Sequence, residues 1–134
     1  RAAMRKQRGQ GGVAFLNVVP RYLIVPAALE TTAEILVSST VKVGGSNAEP
    51  NASFIQSLTV VVDPRLDAAS ATAWYLAADS RQIDTIEIGY LRGQRGVFVE
   101  DETDFNTDAF SLKARLDFGT KAIDWRGLYK NPGA

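Results

Sequence analysis

The chain has 134 residues, about one domain's worth, with 46% hydrophobic and 22% charged residues, an ordinary balance for a globular protein. Fifteen Lys and Arg offset fifteen Asp and Glu, so no whole-molecule field draws the protein to nucleic acid or to a membrane surface. Cysteine and histidine are both absent, which removes disulfides, thiolate nucleophiles, the commonest general base and the commonest metal ligand. No apolar run approaches the roughly 18 residues of a membrane span, and no signal-peptide pattern opens the chain.

Residues 1–8 combine good helix formers with four cations, Arg1, Arg5, Lys6 and Arg8. Basic residues suit a helix C-terminus, so the segment reads as the end of a helix that starts upstream. Gly9, Gly11 and Gly12 then make a flexible joint, giving a first segment over 1–12 and a single domain over 13–134. The four cations also define a candidate nucleic-acid arm, expected to bind DNA only non-specifically.

The stretch from Val18 to Glu30 organises the rest of the chain. Residues 22–25 (Tyr22, Leu23, Ile24, Val25) are an apolar run bounded by Pro20 and Pro26, the pattern of a strand covered on both faces. Pro20 fits a strand start and Pro26 a first helical turn, where neither needs an N–H. Leu29, Ala33, Leu36 and Val37 form one apolar stripe, so residues 26–38 are expected as a helix packed on a sheet containing 22–25 and 58–62. Residues 43–51 read as a mobile surface loop whose glycines lack the spacing of a phosphate cradle.

Residues 58–62 read as a second buried strand ended by Asp63-Pro64, and residues 74–78 as a third. Ile86, Ile88 and Tyr90 alternate with polar residues as a half-buried strand, followed by a turn over 92–96 and a short strand over 97–99. Phe110, Leu112, Ala114, Leu116 and Phe118 alternate with Ser111, Lys113, Arg115 and Asp117, which predicts one long strand of an antiparallel sheet with a bulge or bend at Gly119. Residues 121–129 continue extended. The fold class is α+β, a mixed or mainly antiparallel sheet with a few short flanking helices.

Chemistry is sparse. Asp104, Asn106 and Asp108 match the first ligand positions of a calcium loop, but the glycine position holds Ala109 and the closing acid position holds Arg115, so the stretch reads as a turn. Asp63, Asp79, Asp84 and Asp124 are candidates for a carboxylate-dependent hydrolase, each at a strand end or turn where Asp is also expected structurally. Trp125, between Asp124 and Arg126, is read either as a partner contact or as a lid on the core. No catalytic, cofactor-binding or metal residue is assigned, and the reading is of a protein that is not an enzyme.

The segments carrying Pro20 through Glu30, Val60 through Leu66, Trp74 through Asp79, Ile86 through Leu91, and Asp117 through Gly119 with Ile123 through Asn131 occur in an order that resembles the C-terminal part of tailed-bacteriophage major capsid proteins. The likeness is to the Hong Kong 97-type shell fold, nearest to Mu-like prophage head subunits and those fused to a prohead protease. It implies a virion structural subunit made in the bacterial cytoplasm, whose partners are other copies of itself in pentamers and hexamers, a prohead protease or scaffold, and packaged DNA held non-specifically. It also implies an axial domain over about 16–90, with 110–118 running back to a peripheral domain, and no cofactor. The family's N-terminal arm and extended hairpin loop have no counterpart among these segments, so this chain alone is expected to be monomeric or weakly associated.

Overall fold

A computed structural model describes residues 1–42 and 49–133, and the loop expected over 43–51 falls largely outside the described residues. The backbone divides into two compact units, Arg1–Thr85 with Asp124–Ala134, and Ile86–Ile123. The α+β class holds: short helices flank sheets that are mixed in one unit and antiparallel in the other.

The first unit is built on four strands: β1 (Pro20–Val25), β2 (Thr59–Val62), β3 (Trp74–Ala78) and β8 (Leu128–Asn131), in the order β2-β1-β3-β8. β1 and β2 are parallel, with Leu23 opposite Val60, which requires the long crossover between them. That crossover contains α2 (Glu30–Ser38) and α3 (Ser53–Gln56), while a short helix α1 (Ala2–Arg5) opens the chain. β3 runs antiparallel to both β1 and β8, so the sheet is mixed.

Proline starts the helix as the sequence implies. Pro26 precedes a 3-10 turn over Ala27–Leu29 that leads into α2. The free N–H groups at this start are satisfied from far along the chain: Ala27 and Ala28 donate to the Asp67 carboxylate at 2.9 and 3.3 Å. At the other end of α2, the Asn51 amide donates to the carbonyls of Leu36 and Ser39, both at 3.0 Å. Ala33 is buried, and Leu29 and Val37 pack beside it on the core.

Cross-strand partners share a face. Leu23, Val25, Leu76 and Ala78 therefore look into a core that also contains Met4, Val18 and Leu58. The opposite face is less covered: Tyr22, Ile24 and Tyr75 are half-buried. Coverage of 22–25 on both faces, as the apolar run implied, is thus complete on one side only. β2 departs further, because it is an edge strand and Val61 keeps 40% of its surface exposed. A run of valines reads the same in the middle and at the edge of a sheet.

The N-terminal segment is tied down. Met4 is fully buried, and the expected glycine joint is a hydrogen-bonded turn in which Gly9 N–H donates to Ala14 at 2.9 Å and Leu16 N–H to Gln7 at 2.9 Å.

The second unit is a two-stranded antiparallel ribbon. β4 (Ile86–Tyr90) pairs with β7 (Phe118–Ala122), and β5 (Phe98–Thr103) pairs with β6 (Phe110–Arg115). The single long strand expected over 110–118 is two strands that break at residues 116–117, opposite the longer irregular stretch 91–97. Gly119 is no bulge; it sits in register opposite Gly89. The strand expected over 97–99 extends through the acidic residues to Thr103.

Candidate assembly interface

The ribbon's side chains sort by register. On β5 and β6, Val99, Leu112 and Phe110 share one face with Asp101 and Thr103, while Glu100, Lys113, Phe98 and Arg115 share the other. The second face satisfies itself: Lys113 pairs with Glu100 at 3.2 Å, and the Arg115 guanidinium lies 5.3 Å from the Phe98 ring centre. On β4 and β7 the apolar face carries Ile86, Ile88, Tyr90 and Phe118.

No residue of Ile86–Ile123 is buried, and only Tyr90 and Phe98 are half-buried. Ile86 and Ile88, expected half-buried, are 59% and 54% exposed. Leu112, Phe110 and Phe118 are each more than 60% exposed. A two-stranded ribbon is marginal in water, and its exposed apolar side chains make it the candidate interaction surface.

At the ribbon's tip, Asp104 organises a turn. Its carboxylate accepts from the Asn106 N–H at 3.0 Å and the Thr107 hydroxyl at 2.8 Å, while Asp104 N–H donates to Ala109 at 2.9 Å. Phe105 sits on this turn, 99% exposed. The calcium-like trio is thus a closed turn, and Arg115 pairs instead with Asp117 at 3.1 Å.

Three of the four hydrolase candidates sit in turns of the same kind. Asp63, Asp79 and Asp124 each accept from the backbone N–H two residues on, at 2.9–3.0 Å, and the residue there is Arg65, Arg81 or Arg126. Arg65 and Arg126 also return their guanidinium groups to the carboxylate, at 2.7 and 3.1 Å. Asp84 is exposed on the connection that leads into β4. Among the described residues no group of three or more acidic residues is placed to hold a metal ion. Arg126 further donates to the Arg8 carbonyl at 3.1 Å, joining the two ends of the chain.

The turns at Asp63, Asp104 and Asp124 hold their carboxylates below the usual range. The side-chain hydrogen bond from Arg65 is the main cause at Asp63, and the backbone N–H groups of Asn106 and Arg126 are the main causes at Asp104 and Asp124. Each lowered group contributes stability that is complete above the ordinary carboxylate value near ~3.9 and lost as pH falls through the folded value. The amide resonances of Arg65, Asn106 and Arg126 are therefore expected to stay constant from neutral pH to about 5 and to move only below about 4. Movement centred above that value would contradict the geometry.

The basic segment does not form an open arm. Arg1 lies 4.6 Å from the Phe54 ring centre and Arg8 5.2 Å from that of Phe15, and Arg5 donates to Asn17 at 2.6 Å. None of the four cations pairs with a carboxylate among the described residues. Trp125 lies on a 3-10 turn and is 68% exposed, so it does not lid the core.

Beside Arg1 the first unit opens an apolar cavity of about 590 Å³ between α2, α3 and the sheet, lined by Leu23, Val25, Leu36, Phe54 and Trp74 among others. Sequence reasoning missed both this cavity and the exposed Phe105, because neither is marked by a periodicity.

No curated protein and no solved structure matches the chain. The family described as "Phage capsid protein" matches residues 1–131, nearly the whole sequence. The chain, with its mixed α+β fold, belongs to this family of structural bacteriophage proteins.

Proposed function

We propose that the chain is part of a subunit of a tailed-phage icosahedral head with the Hong Kong 97-type shell fold, nearest to Mu-like prophage capsids and those fused to a prohead protease. Copies join in pentamers and hexamers that enclose DNA, and a protease or scaffold attends assembly. The unit built on β1, β2, β3 and β8 serves as the axial domain, and Ile86–Ile123 belongs to the peripheral one. The role is structural rather than catalytic.

The observation that carries this reading is the ribbon with no buried residue and a row of exposed apolar side chains, within a chain whose family is that of capsid proteins. Such a surface supports association far better than it supports a free monomer. A net charge of zero suits a shell that encloses DNA without gripping each phosphate. The complete gene product, expressed in bacteria with its protease and viewed by negative-stain microscopy, is expected to give closed shells or rings of five and six. Monomers persisting at high concentration would overturn the reading.

A further inference from the structure

The strands β5 and β6 carry opposite charges along unpaired edges. β5 holds three acids, Glu100, Asp101 and Glu102, and no cation, while β6 holds two cations, Lys113 and Arg115, and no acid. Their ladder runs without a register shift from Phe98 opposite Arg115 to Thr103 opposite Phe110, and among the described residues no third strand lies beside either. Each strand therefore turns half of its backbone N–H and C=O groups outward along a regular edge of six residues. No proline or bulge, the usual means of blunting such an edge, interrupts either strand. Within the ribbon the charges are only partly matched. Lys113 pairs with Glu100 at 3.2 Å and Arg115 with Asp117 at 3.1 Å. Glu102 lies opposite Ser111 and, like Asp101, forms no ion pair among the described residues.

We propose that the β6 edge of one copy pairs antiparallel with the β5 edge of a second copy, extending the ribbon into a sheet shared between them. The inference rests on the shell-subunit reading only in requiring many copies. The charges select this partner over the alternatives. β5 against β5 would set three acids beside three, and β6 against β6 two cations beside two, and like charges directly opposite are destabilising. They also select the register. Arg115 opposite Glu100 and Lys113 opposite Glu102 of the second copy gives each cation an acid, whereas repeating the ribbon's own register would leave Arg115 opposite Phe98. A lysine within an edge deters pairing with most strands, and an acid opposite it turns that repulsion of strangers into selection of its own kind. The two edges are different surfaces, so the contact is heterologous, the kind that closes into rings when the rotation allows.

Sedimentation equilibrium of the 134-residue chain tests the contact. The wild type is expected to self-associate weakly and reversibly, less so at high salt, which screens the exposed charges. Glu102→Lys sets a cation opposite Lys113 of the second copy while leaving the Glu100–Lys113 pair of its own ribbon in place. A double variant, Glu100→Lys with Lys113→Glu, keeps that pair in reversed sense but sets like charges together at both positions between copies. Each is expected to weaken association by about tenfold or more, with an unchanged thermal midpoint because all three positions are exposed. The decisive arm is the mixture. There the β6 edge of the double variant meets the β5 edge of the Glu102→Lys chain with opposite charges at both positions, so the two form pairs that neither forms alone.

A Glu102→Lys chain that associates like the wild type would overturn the edge contact. So would a mixture that stays monomeric, or a wild type monomeric at every concentration. None of these outcomes touches the shell reading, which stands or falls on particles formed by the complete gene product.

Discussion

Replacing Leu76 by alanine is expected to destabilise the first unit by about 2–5 kcal/mol, the range for truncating a buried leucine. Leu76 lies on the central strand β3, 5% exposed, directly opposite Leu23 on β1 and Tyr129 on β8. Its loss opens a void where three strands meet, and the paired backbones on either side limit collapse around it. Against the roughly 5–15 kcal/mol of a typical domain this is a large share. Calorimetry should show the thermal midpoint falling by about ten degrees or more, at roughly 4–8 °C per kcal/mol for a unit of this size. Leu112→Ala on the ribbon is the control: 64% exposed, it should change stability by less than about 0.5 kcal/mol. Equal effects at the two leucines would refute the division into a packed unit and an uncovered ribbon.

Gly127→Ala is the second substitution with a large expected effect, and its cause is the reverse. Gly127 is buried just before β8, and a Cβ there would lie 2.8 Å from the Ile83 Cγ2 methyl and closer still to that of Thr85. Both neighbours are β-branched, with little freedom to swing aside. Forcing a methyl into filled space costs roughly 1–3 kcal/mol. Thr85→Ser deletes one of the two opposing methyls, so the double variant should recover part of the loss in a thermal melt. No recovery would mean that the strain lies in the backbone and not in this contact.

Four of the chain's fifteen acids are committed to turns. At Asp63, Asp79, Asp104 and Asp124 the carboxylate closes a turn on its own backbone at the end of a strand or at the ribbon tip. Used in this way, a carboxylate fixes the direction in which the next element leaves. At Asp124 it sets the chain into β8, while Arg126 reaches back to the N-terminal segment.

The sequence by itself determined the features that depend on near neighbours along the chain. The proline-bounded strand, the helix ending at Ser38, the strand over 74–78 and the Asp turns all follow from backbone restrictions and side-chain periodicities spanning a few residues. The mixed α+β class followed from counting them. Only the tertiary structure decided partners and coverage. The alternation from Phe110 to Phe118 runs unbroken across two strands, because alternation records which face a side chain takes and not which strand lies alongside. The switch at 116–117 is set by pairing to β5 on one side and β4 on the other. The valines of β2 became an edge, and Ile86 and Ile88 stayed in solvent, because apolar character states a preference for burial without naming what buries it. Asp67 caps a helix start some forty residues before it, and Phe105 stands alone at a tip, since both depend on distances through space that local sequence does not encode.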